Sequence, residues 1–185
     1  MGALYPDFKC WVRGRSVETG KLVYGNYIQM VIDSKIRPHI YGFPKNANSG
    51  NHAYTADPIE VKPETVQRYT GLSDFFCNSI YEGDVVELPT GQRGKVCFEL
   101  GTWAVSIGGN GILWDEMEKI VERTQSKNPH FLYNDNFASL YELLDNFCPE
   151  DAYDSRCSAV CIVSDNSSQM DEFREYYREE TEEKG

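Results

Sequence analysis

Apolar residues along the first third of the chain fall in the β-branched and aromatic clusters that favour strands. Val12, Val17, Val23, Tyr24, Tyr27, Ile28, Val31 and Ile32 predict strands over residues 9–15 and 21–32. Glu18-Thr19-Gly20-Lys21 separates them, and Gly20 supplies the positive φ that a tight turn requires. Residues 36–57 hold Pro38, Gly42, Pro44, Gly50 and a polar run over 45–51, which predicts a long hairpin tip or loop. Pro63 suits the first position of a single helical turn over 63–69.

Strict alternation follows. Val96, Phe98 and Leu100, then Trp103, Val105 and Ile107, recur at every second position, as a half-buried sheet requires. With a strand over 83–88 and turns at Pro89-Thr90-Gly91 and Gly101, this predicts a small SH3-like β-barrel. After Trp114 the period lengthens. Residues 115–121 predict a short helix. Asn134-Asp135-Asn136 offers a cap for Phe137, Leu140, Tyr141 and Leu144 at helical spacing, ending before Pro149. Residues 158–163 predict a buried strand. Met170, Phe173 and Tyr177 share one side of a terminal helix, or of an acidic tail, over 170–184. The fold class expected is a β-rich α+β protein: an N-terminal sheet, the small barrel, and helices in an acidic C-terminal third.

Charge sharpens this division. Residues 1–125 carry 13 Lys and Arg against 15 Asp and Glu, whereas residues 126–185 carry 5 against 14. The overall net charge is −11. Direct nucleic-acid binding is disfavoured, because phosphates are held by Lys and Arg that displace counterions. A basic protein partner is favoured. Hydrophobic residues make up 41% of the chain, a globular share, and no apolar run approaches the roughly 20 residues of a membrane span. Residues 1–6 lack a basic stretch and a long apolar one, so no signal peptide is expected.

Between the two halves lies a motif. Tyr69-Thr70-Gly71-Leu72-Ser73-Asp74 is followed by Ile80-Tyr81-Glu82-Gly83-Asp84-Val85-Val86. It resembles the central motif of the YopX family of phage and prophage proteins, over residues 61–87. The opening Phe8-Lys9-Cys10-Trp11-Val12-Arg13-Gly14-Arg15 and Gly20-Lys21-Leu22-Val23-Tyr24-Gly25 is similar to that family's first strand, turn and Tyr-Gly strand. Two places depart from it. The family's turn is usually Lys-Asn-Gly-like, and here it is Phe75-Phe76-Cys77-Asn78-Ser79. Its closing Ile-Gly-Asn-Ile signature is echoed only by Val160-Cys161-Ile162-Val163-Ser164-Asp165-Asn166. The resemblance implies a phage or prophage source and the cytoplasm of the bacterial host. The family has no established common activity, so no catalytic residue carries over.

The residues themselves suggest little chemistry. Gly108-Gly109-Asn110-Gly111 matches neither phosphate-loop pattern and reads as a turn. Glu82 and Asp84 could pair as an acid and a base, but in a Tyr-Glu-Gly-Asp turn they are expected to cap backbone N–H groups, as are Thr70 and Asp74. Thr70, Gly71, Asp74, Tyr81, Glu82, Gly83 and Asp84 are therefore expected to be structural. Cys10, Cys77, Cys97, Cys148, Cys157 and Cys161 form no close Cys-x-x-Cys pair, and His39, His52 and His130 are scattered. No metal, cofactor or catalytic set is expected. A hydrolase or metal-dependent enzyme using Cys157, Cys161 and a distant His is the remote alternative.

Contact is thus the expected occupation. Residues 1–125 are expected to form a β-rich domain, with residues 126–185 an acidic α/β extension packed on it. The candidate contact residues are Asp171, Glu172, Glu175, Glu179, Glu180, Glu182 and Glu183, with Phe173 and Tyr177 beside them. A non-enzymatic accessory protein that binds a basic host or phage protein is the first reading. A sharper version makes these carboxylates mimic DNA phosphates and inhibit a host defence or nucleic-acid enzyme. Exposed strand edges near the long loop also invite self-association into a homo-oligomer.

Overall fold

The computed structural model describes residues 12–42, 57–99, 101–123, 136–141, 143, 159–163 and 167–178. The chain divides by contacts into two units, residues 1–69 and 70–185. The division falls within strand β5.

In the first unit, β1 (Val12–Arg15), β2 (Leu22–Ile32), β3 (Lys35–Gly42) and β4 (Pro58–Glu60) form successive antiparallel pairs, and β1 also pairs the first residues of β5 (Gln67–Ser73). Gly20 takes φ 67° in the β1–β2 turn. At Gly25 a side chain is excluded, because a Cβ there would run into the carbonyl of Tyr41 on β3. Val12, Ile40 and Val61 are the buried centre, flanked by Val23 and Val66. Pro63–Thr65 forms one 3-10 turn with the proline at its start.

Residues 36–57 were expected to be loop, but β3 occupies the first part. Pro38 is tolerated there for a geometric reason. Its carbonyl accepts the Val61 N–H, so its nitrogen also faces the β4 side, just past the point where the ladder with β4 stops. The β2–β3 ladder therefore loses nothing. Residues 43–56 lie outside the described residues.

In the second unit, β6 (Ser79–Tyr81) neighbours β5, extending the sheet order β4-β3-β2-β1-β5-β6. β7 (Val85–Glu87), β8 (Arg93–Glu99), β9 (Thr102–Ser106), β10 (Phe137–Ser139) and β11 (Cys161–Ile162) form a second antiparallel sheet of order β10-β9-β8-β7-β11. Helices α1 (Trp114–Arg123) and α2 (Ser167–Arg178) complete it. The core gathers Ile80, Val86, Leu88, Val96, Met117 and Phe173 among others. Asp115 and Glu116 sit in the first turn of α1, where they complement the helix dipole. Just before it, the Gln92 amide bonds the Leu113 N–H (2.9 Å) and the Gly111 carbonyl (2.8 Å), holding the approach to α1 against the β7–β8 turn.

Three expectations are corrected here. The closed barrel is absent among the described residues, because the free edges of β7 and β9 are taken by β11 and β10 rather than by each other. Residues 67–73 and 79–81 are strands, not the end of a helical turn and a polar loop. Phe137 to Ser139 is a strand rather than the start of a helix: Ala138 faces Val105 across β9, and the ladder there outweighs the helical spacing.

Candidate functional site

The Thr-Gly-Leu and Tyr-Glu-Gly-Asp elements make backbone bonds throughout. Gly71 and Gly83 both take φ 86°, which a side chain would oppose. The Thr70 hydroxyl donates to the Ile80 carbonyl (3.0 Å) and accepts from the Leu72 N–H (3.1 Å). Asp84 accepts from the Tyr81 N–H (2.9 Å), so it caps the turn that contains Glu82 and Gly83. Tyr81 is buried and Glu82 half-buried. Asp84 is thereby committed to the chain's own amides.

Asp74 is a buried hub. One oxygen accepts from the N–H groups of Phe76 (3.0 Å) and Asn78 (2.7 Å). The other accepts from the Asn78 side chain (3.2 Å) and from the Ile162 N–H on β11 (3.2 Å). Burial pushes its carboxyl above the usual range, against the pull of the bonds from Asn78, Ile162 and Phe76. Asp74→Ala leaves those N–H groups without their acceptor. The expected cost is about 1–2 kcal/mol, read as a lower urea midpoint; an unchanged midpoint would discard the hub.

The turn after Asp74 leads to α2. Phe75 donates its N–H to the Val160 carbonyl (2.8 Å). Its ring meets those of Phe173 (centroids 5.6 Å), Tyr176 (5.1 Å) and Tyr177 (6.1 Å). Phe173 and Tyr177 were expected among the contact residues. Both are buried with Met170. Their role is to seat the helix, since a side chain already packed in the core cannot also be offered to a partner.

A charged clamp completes the seat. Glu87 and Cys161 face each other across β7 and β11. Above them lie Arg174 and Met170, one helical turn apart on α2: the Cys161 thiol is 3.4 Å from the Met170 sulfur, and Arg174 donates two bonds to Glu87 (2.6 and 2.8 Å). Arg93, opposite Glu87 on β8, donates a third (2.9 Å). The Glu87 side chain is 1% exposed. Burial alone would push its carboxyl up; Arg174 and Arg93 outweigh that and hold it below the ordinary value. Sequence reasoning missed this clamp. The available signal was a glutamate inside the apolar run Val85-Val86-Glu87-Leu88, where a charge demands a partner.

With the apolar side spent, α2 turns Asp171, Glu172, Glu175 and Tyr176 outward. Arg174 is also 3.5 Å from Asp171. Glu179, Glu180, Glu182 and Glu183 lie outside the described residues. Beside α2 a groove of about 400 Å³ opens toward α1, with Leu88, Ile120 and Phe173 in its wall and Glu116, Lys119 and Arg174 at its rim. That rim carries both signs, so its pull on a simple ion of either charge is weak.

The thiol and imidazole once considered as a nucleophile and base have other occupations. Burial, with the carboxylates of Asp74 and Glu87, pushes the Cys161 thiol up to about 12, leaving almost no thiolate at neutral pH. His39 is buried on β3 with Nδ1 3.1 Å from the Arg37 carbonyl. Cys157, His52 and His130 lie outside the described residues. No helix among the described residues is long and apolar enough to cross a membrane.

The family model for YopX protein matches residues 12–140, from β1 to just past β10. A search of curated proteins found no match. The charged clamp and the aromatic seat of α2 therefore join the matched segment to residues beyond it.

Proposed function

The chain belongs to the YopX family, and from that premise we propose a non-enzymatic, phage- or prophage-encoded accessory protein that binds a basic protein through its acidic C-terminal helix. One observation carries this reading. The helix is fixed by its apolar side and by Glu87, which leaves Asp171, Glu172 and Glu175 presented from a rigid support. A fixed array of carboxylates loses less side-chain and backbone freedom on binding than a loose tail would. Tyr176, exposed beside them, supplies the kind of amphipathic aromatic anchor that protein interfaces favour.

The test is capture from lysate of phage-infected bacteria at low and at high salt. The bait is the full chain, compared with the triple variant Asp171→Lys, Glu172→Lys, Glu175→Lys. A partner is expected with the unaltered chain at low salt only, since exposed charges are screened over about 10 Å at 0.1 M salt. Identical capture by the triple variant would reject the reading.

A further inference from the structure

The first unit holds a second surface, independent of α2. Strand β1 follows β2 only from Leu22 to Gly25, and β4 follows β3 only from His39 to Tyr41. Beyond those points, among the described residues, the β2–β3 hairpin is two strands wide. It ends in a two-residue turn, Asp33-Ser34, with both φ angles positive (50° and 59°), as a type I′ hairpin requires.

That turn sets the hydrogen-bonding phase of β2. Ile32 and Lys35 flank it as a bonded pair, so Ile32, Met30 and Ile28 bond toward β3. Tyr27, Gln29 and Val31 then aim their amides and carbonyls at the outer edge. Protein edges are usually blunted by lysine, proline or a bulge. The eleven residues of β2, Leu-Val-Tyr-Gly-Asn-Tyr-Ile-Gln-Met-Val-Ile, contain no charge and no proline. One face of the arm is also bare: Val31 is 74% exposed and Ile36, its cross-strand neighbour, 69%.

We propose that this edge pairs with the same edge of a second copy of the chain, antiparallel, about a twofold axis through Gln29. A twofold perpendicular to the sheet keeps each side chain on its own face, so residues of like parity meet. Tyr27 then faces the second copy's Val31, Gln29 faces its counterpart, and Ile28 faces the second copy's Met30. Every apolar side chain in the shared ladder meets another. The outward groups of Tyr27, Gln29 and Val31 on each copy are satisfied together by about six backbone bonds. Across four strands the bare face becomes a continuous row of Ile36, Val31, the second copy's Tyr27 and its Ile40. An unrelated strand would need to supply this pattern by chance; a second copy carries it already.

Gln29 is exposed and bonds only the Tyr27 hydroxyl among the printed contacts of its side chain (3.3 Å), so charge can be placed there without disturbing the fold. Sedimentation of the full chain across the micromolar range is expected to give a dimer. Gln29→Lys and Gln29→Glu each set like charges face to face on the axis, and each is expected to weaken the dimer by about tenfold or more. Mixing the two is expected to restore it. Circular dichroism should leave both variants unchanged. A monomeric parent chain, whether its edge is empty or covered by its own first eleven residues or by another protein's strand, overturns the proposal. So does a dimer indifferent to both charges, or one that mixing fails to rescue.

Discussion

Phe173→Ala is expected to cost the second unit about 4 kcal/mol, the usual loss when a buried aromatic is cut back to a methyl group. The residue is 1% exposed, and its ring lies between Phe75 and Tyr177 at centroid separations of 5.6 and 5.1 Å. Few partners can move in to fill the space, because Phe75 is itself tied by its N–H to Val160 and by its ring to Tyr176. Urea unfolding monitored by tyrosine and tryptophan fluorescence would read the loss as a shifted midpoint. Glu172→Ala, on the outer face of the same helix, should move it by no more than about 0.5 kcal/mol. Equal, small shifts for both would mean that α2 is an appendage, and the rigid acidic display would go with it.

Glu87→Ala should destabilise the protein by about 3 kcal/mol at neutral pH, since removing one partner of a buried charge cluster strands the others. Arg93 and Arg174 are 51% and 43% exposed, so water recovers part of their solvation and the loss belongs at the lower end for such clusters. The effect should depend on pH in one direction. Folding lowers the Glu87 pKa below its unfolded value, near 4.5. Its contribution is complete above that value and disappears as pH falls through the folded one. The gap between the parent chain and Glu87→Ala should therefore hold steady from pH 7 to about 5 and shrink below it. Denaturation curves at several pH values test this. A gap that persists undiminished at pH 2 would show that lost packing, not the ion cluster, sets the cost.

Phe75 links these results to the family. The YopX family usually carries a polar turn at this place, and this chain carries Phe75-Phe76. The model match ends at residue 140, whereas α2 begins at Ser167. The aromatic turn is thus the matched segment's contribution to holding a helix that lies outside the match, with Glu87 as its charged counterpart.

Features governed by near neighbours were legible along the chain. Gly20 located the first turn, the alternation of Val96, Phe98, Trp103 and Val105 located β8 and β9, and the spacing of Met170, Phe173 and Tyr177 located the buried side of α2. Each depends on a period of two or 3.6 residues, which any stretch of sequence displays by itself. The chain also declared its own family through the Thr-Gly-Leu and Tyr-Glu-Gly-Asp elements, and its acidic end through composition.

Long-range pairing lay beyond that kind of evidence. Whether Pro38 breaks a strand depends on which side its nitrogen faces, and that is set by Val61, far along the chain. Phe137 reads as helical until Ser106 supplies a ladder partner. Glu87 needs Arg174, which is 87 positions away. Bonds of this kind carry no periodic trace, because the intervening chain can take many paths of nearly equal entropy. Only the packed state brings their ends together, so the tertiary structure alone decided that the acidic helix is clamped and which of its residues remain outside.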